Sequence, residues 1–471
     1  MNDFTDSSRE RALAEVLRTH PAVADAAVIE STDGRRLSAR IMPDPGAAPM
    51  LHRSAALEAA GRLGDLSWHE PASGVRVAGF NRSETDFLHR EIFAENAYFR
   101  HGITLPPGAV VVDVGANIGM FTLCAALHSP GARVIAVEPV AELAEAVALN
   151  AELHGVDATL LCGALGRAEG ETEFTFYPNN SVMSGRFADA SEDLAVLKGY
   201  LLTGQNAEKG AQLDRLVADR MRAEHRRVRV TTLACLADEL GLRHIDLLKI
   251  DVEKAEAEVL EGVGEALWPR IEQIVMEVHD TDGRLDTVLK ELRSRGFEVA
   301  HEQDPRLLLT PCHNVYARRP EAAAGRALEA ASASPFDGGP TQRELEQELR
   351  ELIARSLPSA VPPDRFAVVA DLAVVDGQPA APGAVPDLAD GSRTAILARI
   401  WAGLFGAEAV QPDADFFDLG GDSLTAVRLL AEIEAELGEG ALAPDLIFTD
   451  STFGALAAAM ETDPLPGRAV S

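Results

Sequence analysis

The stretch Val110-Val-Val-Asp-Val-Gly-Ala-Asn-Ile-Gly119 decides the fold of this 471-residue chain. Its run of β-branched residues predicts a buried strand that ends near an acidic residue, and the two glycines predict a tight loop after it. Apolar residues at helical spacing follow over residues 121–127. Strand, loop and helix in this order are typical of the entry to a doubly wound α/β sheet, where ligands bind beyond the carboxyl ends of the strands.

Alternating strand and helix patterns continue through residues 107–319. This alternation predicts an α/β fold with a Rossmann-like, doubly wound and largely parallel sheet, because parallel strands need crossover helices. The charged residues 189–227 predict further helices without an evident chemical role. We predict strands at 110–114, 133–137, 159–163, 171–177, 229–233, 245–251, 273–279, 297–302 and 314–318, and helices at 119–128, 141–154, 233–240, 254–263 and 283–295.

The loop after the first of these strands raises a choice between two kinds of nucleoside cofactor. A nicotinamide dinucleotide requires the fingerprint G-x-G-x-x-G, but this chain has Asn117 and Met120 where the second and third glycines would stand. The loop pattern instead suits a cofactor with an amino acid moiety. An acid at the end of the second strand can accept hydrogen bonds from both ribose hydroxyls. The predicted cofactor-binding residues are therefore Asp113, Gly115, Asn117, Gly119 and Glu138.

Two later strands end in polar residues that predict the acceptor side of the site. In Lys249-Ile-Asp-Val-Glu253, polar and apolar residues alternate, so the polar side chains share one face at the carboxyl end of the strand. Glu277 and His279 share a face in the same way. Tyr98 lies in a polar and aromatic helix before the first sheet strand. This helix either covers the cofactor, which makes Tyr98 a further candidate cofactor-binding residue, or packs on the sheet edge.

These runs resemble the FkbM-type methyltransferase family, which has similar Val-Asp-Val-Gly-Ala-Asn-Ile-Gly, Val-Glu-Pro, Lys-Ile-Asp-Val-Glu and Glu-x-His segments. The resemblance covers about residues 80–318 and implies S-adenosylmethionine as cofactor. Lys254 departs from the family, which usually has glycine there. Its bulk and charge are expected to alter the acceptor pocket.

Methyl transfer from a sulfonium is an in-line displacement in which positioning supplies most of the catalysis. A hydroxyl acceptor must also lose a proton, which calls for a general base. We expect His279 or Asp251 to be this base, with Glu253 and Glu277 orienting it. Ion-paired structural carboxylates are the alternative for each of these residues. No metal is expected.

Residues 391–465 predict a compact domain of four helices around a second motif. The run Phe416-Phe-Asp-Leu-Gly-Gly-Asp-Ser423-Leu forms a loop that ends at the start of a helix. This domain resembles peptidyl carrier proteins, which implies that Ser423 bears 4′-phosphopantetheine attached by a phosphopantetheinyl transferase. Backbone N–H groups at a helix N-terminus favour the added phosphodiester. The domain is acidic and is expected to meet basic surfaces.

The segments on either side of the methyltransferase-like region resemble two halves of one small domain. Residues 1–48 predict a helix and two strands, and residues 341–390 predict an amphipathic helix and a strand. Together they resemble the C-terminal subdomain of nonribosomal peptide synthetase adenylation domains. Residues 49–319, which comprise the methyltransferase and a lead-in, are then an insertion, and residues 320–340 are a linker.

Adenylation activity is not expected of these flanking segments. The resembled subdomain carries a lysine in an Asn-Gly-Lys turn after its last strand, but Gln378 stands at that position here. An uncharged amide cannot stabilise the negative charge of an acyl-adenylate transition state. A separate adenylating enzyme is therefore expected to load the carrier.

Composition narrows the possible partners and setting. The net charge of −31 argues against nucleic acid and anionic membranes as partners. The 46% hydrophobic content is sufficient for packed cores, and no apolar run reaches the length of a membrane span. The four cysteines are far apart in the sequence and predict neither a disulfide framework nor a metal site. A reduced, cytoplasmic setting is expected.

Two hypotheses about function follow from the sequence. In the first, the chain methylates an acyl or aminoacyl group tethered to its own carrier domain in nonribosomal peptide or hybrid polyketide biosynthesis, on oxygen or alternatively on an amine. In the second, it is a non-catalytic carrier and docking scaffold. Other assembly-line enzymes are expected partners in both cases.

Overall fold

A computed structural model of the protein describes residues 6–30, 37–72, 75–188, 222–304, 310–320, 339–372 and 392–462, apart from single positions 413, 418, 422, 439 and 445. The turn that contains Gln378, most of the linker at 320–340 and most of the helical segment predicted over 189–227 lie outside these residues. No helix among the described residues is long and apolar enough to cross a membrane.

The bounds of the helices and strands agree closely with the sequence patterns in the central region. The strands are β1 (Val23–Glu30), β2 (Leu37–Pro43), β3 (Ser67–Ala72), β4 (Val75–Gly79), β5 (Val110–Val114), β6 (Arg133–Glu138), β7 (Asp157–Cys162), β8 (Ala164–Leu165), β9 (Gly170–Phe176), β10 (Glu224–Thr231), β11 (Leu247–Ile250), β12 (Gln273–His279), β13 (Glu298–Glu302), β14 (Cys312–Arg318) and β15 (Arg365–Val368). The helices are α1 (Asp6–Leu17), α2 (Pro49–Ala59), α3 (Arg82–His89), α4 (Met120–His128), α5 (Ala141–His154), α6 (Leu233–Glu239), α7 (Glu256–Glu261), α8 (Arg284–Ser294), α9 (Gln342–Ser356), α10 (Arg393–Phe405), α11 (Ser423–Leu437), α12 (Leu446–Thr449) and α13 (Phe453–Thr462).

The central sheet has seven strands in the order β13-β14-β12-β11-β5-β6-β7. The five strands from β12 to β7 are parallel, and β14 and β13 complete the sheet in antiparallel pairing. From β5 the chain moves outward through β6 and β7, and it later returns to the other side of β5 through β11. A crevice therefore opens beyond the carboxyl ends of β5 and β11, where the strand order reverses. The predicted doubly wound α/β fold is confirmed.

The run of valines in β5 is buried because helices cover both faces of the sheet. Successive side chains point to opposite faces, so Val111 and Val112 join different hydrophobic clusters, and both are fully buried. Apolar residues of α4 and α5 complete one cluster, and those of α6 and α8 complete the other. A continuous apolar strand is the expected pattern for a parallel sheet buried on both faces.

Three parts of the fold differ from the sequence prediction. Tyr98 was predicted to lie in a helix, but the helical segment ends at Ala94 and Tyr98 lies in a turn after it. Residues 67–72 and 75–79 form the antiparallel strands β3 and β4 in the lead-in segment, where no strand was predicted. The helical segment predicted to end at residue 227 was wrong at its end, because β10 already begins at Glu224 and pairs with β9. Charged residues such as Arg227 and Arg229 lie on the exposed face of this strand, so charge alone concealed the strand's alternation.

The two segments that flank the central domain form one unit. Strands β1, β2 and β15 make a single sheet in which β15 lies parallel to β2, with Phe366 opposite Ala39. Residues of α1 and α9 share its hydrophobic cluster. Thr341 and Glu344 form a capping box at the start of α9, an arrangement that satisfies two helix-end N–H groups.

Helices α10 to α13 pack around Trp401 near the C-terminus. The Trp401 ring is fully buried and meets the rings of Phe405, Phe416 and Phe453 edge-on, with centroids 5.2 to 5.9 Å apart. Its indole N–H donates to the carbonyl of Ala409 at 3.0 Å. Edge-to-face aromatic packing of this kind stabilises a small core beyond the area that it buries.

Candidate active site

Gly115 lets the loop after β5 pass against the end of β11. Its φ is +78°, in the left-handed region that favours glycine. A Cβ atom at this position would lie 1.7 Å from the carbonyl oxygen of Asp251. The contact brings the cofactor loop and the polar end of β11 into one site, as the sequence predicted for parallel strand ends.

Asn117 and Glu138 connect this loop to the end of β6. Asn117 has a φ of +50°, which asparagine tolerates better than most residues, and its backbone N–H donates to Glu138 Oε2 at 2.8 Å. Val140 donates its N–H to Glu138 Oε1 at 3.0 Å. Since an ionised carboxylate has about four acceptor positions, these two contacts leave acceptor capacity on Glu138 for ribose hydroxyls. The loop and Glu138 therefore fit a nucleoside cofactor.

Burial of Glu138 has a consequence for its protonation. The side chain is 4% exposed, and burial raises the pKa of Glu138 to about 7 although two backbone N–H groups act in the opposite direction. Its carboxylate is thus poised to change charge near neutral pH. Loss of that charge removes acceptor capacity for ribose hydroxyls.

Two residues that the sequence did not indicate, Ser181 and Glu84, hold the cofactor loop through hydrogen bonds. The Asn117 side-chain amide donates to Ser181 Oγ at 3.0 Å, and the Ser181 hydroxyl donates to Glu84 Oε2 at 3.0 Å. Ser181 also donates its backbone N–H to Glu84. Glu84 lies in the first turn of α3 and Ser181 lies in the segment after β9, so no sequence pattern joins either residue to the loop.

Asp113 and Lys249 form a buried ion pair beneath the loop. Lys249 Nζ lies 3.2 Å from Asp113 Oδ1 and 3.5 Å from Asp251 Oδ2, and it donates to the Gly115 carbonyl at 2.6 Å. Burial disfavours the charge of Lys249, but the two carboxylates outweigh it and raise the pKa of its ammonium above the ordinary value. Asp113 also accepts the Thr122 hydroxyl at 2.7 Å. Asp113 is fully buried and supports the loop from below.

Tyr98 packs behind Asp251. Its side chain is almost fully buried, its hydroxyl donates to Asp251 Oδ2 at 3.0 Å, and its ring meets Phe121 edge-on. Burial, followed by the charge of Asp251, raises the pKa of Tyr98 well above its ordinary value, so the phenol stays protonated and donates. Tyr98 therefore fixes the orientation of Asp251.

His279 lies within a group of carboxylates at the end of β12. Its Nδ1 is 2.9 Å from Glu256 Oε1, and its Nε2 is 3.2 Å from Glu253 Oε2 and 3.8 Å from Glu277 Oε1. Burial acts to lower the pKa of His279, but the adjacent carboxylates outweigh it and raise that pKa well above its ordinary value. These carboxylates therefore favour the imidazolium form, in which both ring nitrogens carry protons.

The raised pKa of His279 argues against the role of general base that the sequence suggested for it. An imidazolium cannot accept a proton from a substrate, so His279 in this state does not fit the expected role of general base. Burial raises the pKa of the Glu253 carboxyl and raises that of Glu277 well above the ordinary value. These partly exposed carboxylates are stronger bases than ordinary glutamates. Oxygens of Asp251, Glu253 and Glu277 all lie within 4.8 Å of one another.

Glutamate, histidine and cysteine are also possible metal ligands, and Glu277, His279 and Cys312 place ligand atoms within 4.8 Å of one another. Zinc requires a neutral histidine, whereas Glu253 and Glu256 favour the imidazolium form of His279. The expectation that no metal is used stays a prediction.

Lys254 has a backbone conformation that favours glycine, the residue expected at this position from the family resemblance. Its φ is +74°, and that of the preceding Glu253 is +47°. A left-handed conformation costs a residue with a Cβ roughly 1–2 kcal/mol. The Lys254 N–H donates to Glu256 Oε1 at 2.9 Å, which ties this turn to the carboxylate that binds His279.

Comparison with known proteins decides the identity of this site. A family described as the methyltransferase FkbM domain matches residues 113–299. The 31-O-demethyl-FK506 methyltransferase FkbM of Streptomyces tacrolimicus is 44% identical over 248 residues, which cover 52% of this chain and 95% of that protein. This chain belongs to the FkbM methyltransferase family. It is a methyltransferase that depends on S-adenosylmethionine.

The FkbM-family chain also carries a phosphopantetheine attachment domain. A family described as the phosphopantetheine attachment site matches residues 395–460, which include Ser423 at the start of α11. Surfactin synthase subunit 2 of Bacillus subtilis is 44% identical over 71 residues, covering 15% of this chain and 2% of that protein. The second cofactor is therefore 4′-phosphopantetheine.

One relative matches most of the chain. The AMB antimetabolite synthetase AmbE of Pseudomonas aeruginosa is 38% identical over 447 residues. The match covers 88% of this chain and 20% of AmbE, so the chain spans about a fifth of that relative's length. The methyltransferase and the carrier domain thus occur here in the context of a nonribosomal peptide synthetase-like protein.

Proposed function

We propose that this chain methylates an oxygen of an acyl or aminoacyl group that is tethered to the phosphopantetheine on its own carrier domain. The proposal places the reaction in a nonribosomal peptide or hybrid polyketide assembly line. It rests on one observation above all: a methyltransferase site and a phosphopantetheine attachment domain are present in the same chain. Tethering supports it physically, because an attached substrate has a high effective concentration at a site in the same molecule.

Oxygen is the favoured acceptor because the site offers bases of suitable strength. A hydroxyl must lose its proton as its oxygen forms the new bond to carbon, and Glu253 and Glu277 are carboxylates whose pKa is raised toward the working range of a general base. The relative from Streptomyces tacrolimicus, whose name refers to an O-demethyl substrate, supports the same choice.

The residues of the cofactor side divide into two groups in this proposal. The loop from Gly115 to Gly119 and the carboxylate of Glu138 would hold S-adenosylmethionine, which supplies the methyl group when bound. Asp113 and Lys249 act beneath the loop as positioning residues, since they are buried, pair with each other, and hold the Gly115 carbonyl through Lys249.

On the acceptor side, Glu277 or Glu253 accepts the proton of the substrate hydroxyl. His279 donates to Glu253 and Glu256, and so it keeps part of this carboxylate group ionised despite its burial. Tyr98 holds Asp251 at the edge of the same group through its hydroxyl. Positioning of this kind accounts for much of the rate in a displacement reaction.

The flanking unit of β1, β2 and β15 is assigned to the remnant of an adenylation C-terminal subdomain, composed of residues 1–48 and 341–390. The methyltransferase with its lead-in at 49–319 is inserted between them, the linker is 320–340, and the carrier is 391–465. Gln378 replaces the lysine of the resembled turn, so loading is assigned to a separate adenylating enzyme in the cytoplasm. Ser423 is the proposed attachment site for a phosphopantetheinyl transferase.

Insertion between halves of an adenylation-like subdomain favours a second candidate, methylation of the α-amine of a carrier-bound aminoacyl group. One experiment separates the two. The full chain is converted to its phosphopantetheinylated form with hydroxyacyl or aminoacyl groups, incubated with S-adenosylmethionine, and analysed by mass spectrometry of the Ser423 peptide. We expect a gain of one methyl group, with fragmentation locating it on oxygen.

The Ser423→Ala variant is the control, since it cannot be loaded and should show no methylated product on the chain. Methylation of the amine would select the second candidate. Methylation of free hydroxy acids without methylation of any carrier-bound group would reject the tethered substrate. Failure to bind S-adenosylmethionine in calorimetry would favour a non-catalytic scaffold.

A further inference from the structure

The carrier domain touches the methyltransferase at the start of α3. Arg82 Nη1 lies 3.5 Å from Asp415 Oδ1, and α12 of the carrier domain lies against α3. The two side chains of the ion pair are 28% and 14% exposed. Partial burial shields the pair from solvent and salt more than a fully exposed surface pair would be.

Both members of this ion pair are oriented by their own domains. Asp415 Oδ1 accepts the N–H of Phe417 at 2.8 Å, and its other oxygen accepts the Ser451 hydroxyl. The Arg82 guanidinium also contacts Asp86, one helical turn further along α3, at 3.4 Å. Side chains that are already fixed lose less conformational entropy when they meet, which favours a specific contact.

On the carrier side, the contact lies in the loop that leads to Ser423. This loop is closed on itself, because the N–H of Gly421 donates to the carbonyl of Phe416 at 2.9 Å. A Cβ atom at Gly421 would lie 2.4 Å from the Phe416 ring. The contact between Phe416 and Gly421 therefore holds the end of this loop, two residues before Ser423 in the sequence, close to Asp415.

On the methyltransferase side, the same turn of α3 reaches the cofactor loop. Asn81 caps α3 and accepts the Glu84 N–H at 2.9 Å. Glu84 then accepts both the hydroxyl and the backbone N–H of Ser181, whose hydroxyl oxygen accepts the Asn117 side chain. Two hydrogen-bond steps thus separate the docked turn from the loop that fits S-adenosylmethionine.

We propose that the first turn of α3, with Arg82 at its surface, is the docking surface for the carrier domain of the same chain, and that Glu84 and Ser181 link this surface to the cofactor loop. The acidic carrier meets a cation there, as its charge requires. Docking then presents the arm on Ser423 to the crevice while the loop is held in place. The role of this surface in substrate delivery rests on the proposed function, whereas the docking contact itself does not depend on it.

The first test is therefore independent of activity. In the full-length Arg82→Lys variant the charge is kept and an amine is introduced, which a zero-length carbodiimide can join to a carboxylate in contact with it. We expect mass spectrometry to find position 82 linked to Asp415. Arg62→Lys is the matched control, because Arg62 lies 3.2 Å from Glu152 within the methyltransferase. A link from position 62 to Glu152 without a link from position 82 to Asp415 would overturn the docking surface.

The second test measures the consequence of docking. Arg82→Glu places two negative charges opposite each other, and like charges at an interface suppress association. We expect methylation of the carrier-bound group to fall by roughly fivefold or more relative to methylation of the same acyl group on free pantetheine. Arg62→Glu should leave this ratio unchanged. If neither rate changes in Arg82→Glu, Arg82 has no role in delivery. If both rates fall by the same factor, its role is not confined to docking.

Discussion

Gly115 and Gly131 offer a comparison that isolates the close approach of the cofactor loop to β11. Their φ values are +78° and +76°, so replacing either with alanine imposes the same left-handed strain of roughly 1–2 kcal/mol. The difference lies in the space around the new Cβ atom. At Gly131 nothing lies within 4 Å, whereas at Gly115 the atom would be 1.7 Å from the Asp251 carbonyl oxygen.

The clash at Gly115 must be relieved by moving the loop or Asp251 apart by more than about 1 Å. Overpacking of this kind costs about 1–3 kcal/mol in addition to the backbone strain. We therefore expect Gly115→Ala to lose about 2–5 kcal/mol of stability and Gly131→Ala to lose only about 1–2 kcal/mol. If the loop can bind cofactor only after returning to its original position, affinity for S-adenosylmethionine falls by roughly 5- to 150-fold in Gly115→Ala.

Calorimetric titration with S-adenosylmethionine and urea unfolding followed by tryptophan fluorescence measure both effects. Gly131→Ala should bind the cofactor with the affinity of the natural chain. If the two variants have the same stability and the same Kd, the contact between Gly115 and Asp251 does not constrain the loop, and the argument from close approach is wrong.

Three further predictions concern buried charge. Lys249→Met leaves Asp113 without its cation and should lower the free energy of unfolding by about 3–5 kcal/mol in urea. Lys290→Met, which removes the cation of an exposed ion pair, should change the free energy of unfolding little. Equal losses in the two variants would contradict the claim that burial makes the Asp113–Lys249 pair important for stability. The pKa of Glu138 is about 7, so lowering the pH from 8 to 6 protonates its carboxylate and should weaken S-adenosylmethionine binding about tenfold, as measured by titration calorimetry. If the same pH dependence persists in Glu138→Gln, a different group is responsible for it. The native pKa of His279 is raised, so its stabilisation is complete below its ordinary pKa of 6.5 and is lost as pH rises through the native value. The difference in Tm between the natural chain and His279→Gln should shrink between pH 7 and pH 10, and a constant difference would indicate packing instead of charge.

The sequence predicts the fold and the meeting of the site residues for one physical reason. The carboxyl ends of parallel strands lie at one edge of a sheet, so residues that end β5, β6, β11 and β12 are brought together whatever the loops do. Gly115, Asn117 and Asp251 are accordingly found at one crevice. The spacing of apolar residues also locates the helices that cover the sheet to within a few residues.

The sequence could not predict contacts that depend on how loops fold back. Glu84 and Ser181 reach Asn117 from α3 and from the segment after β9, and neither position has a periodic or motif signal. The protonation of His279 was equally out of reach, since its raised pKa depends on Glu253 and Glu256, which lie in a different segment of the chain. The raised pKa of His279 argues against its predicted role as the general base, whereas Glu253 and Glu277 lie beside it as predicted.

The pairing of β2 with β15 makes the flanking unit dependent on the domain inserted within it. The Leu37 N–H donates to Asp364 across 327 residues of chain, and closing a flexible loop of that length costs about 5 kcal/mol. Once the inserted sheet has folded and brought its two ends together, most of this entropy loss has already occurred. The flanking sheet is therefore a reporter of the inserted domain: a ligand that stabilises the central sheet should also raise the unfolding temperature of β1, β2 and β15, although it touches none of them.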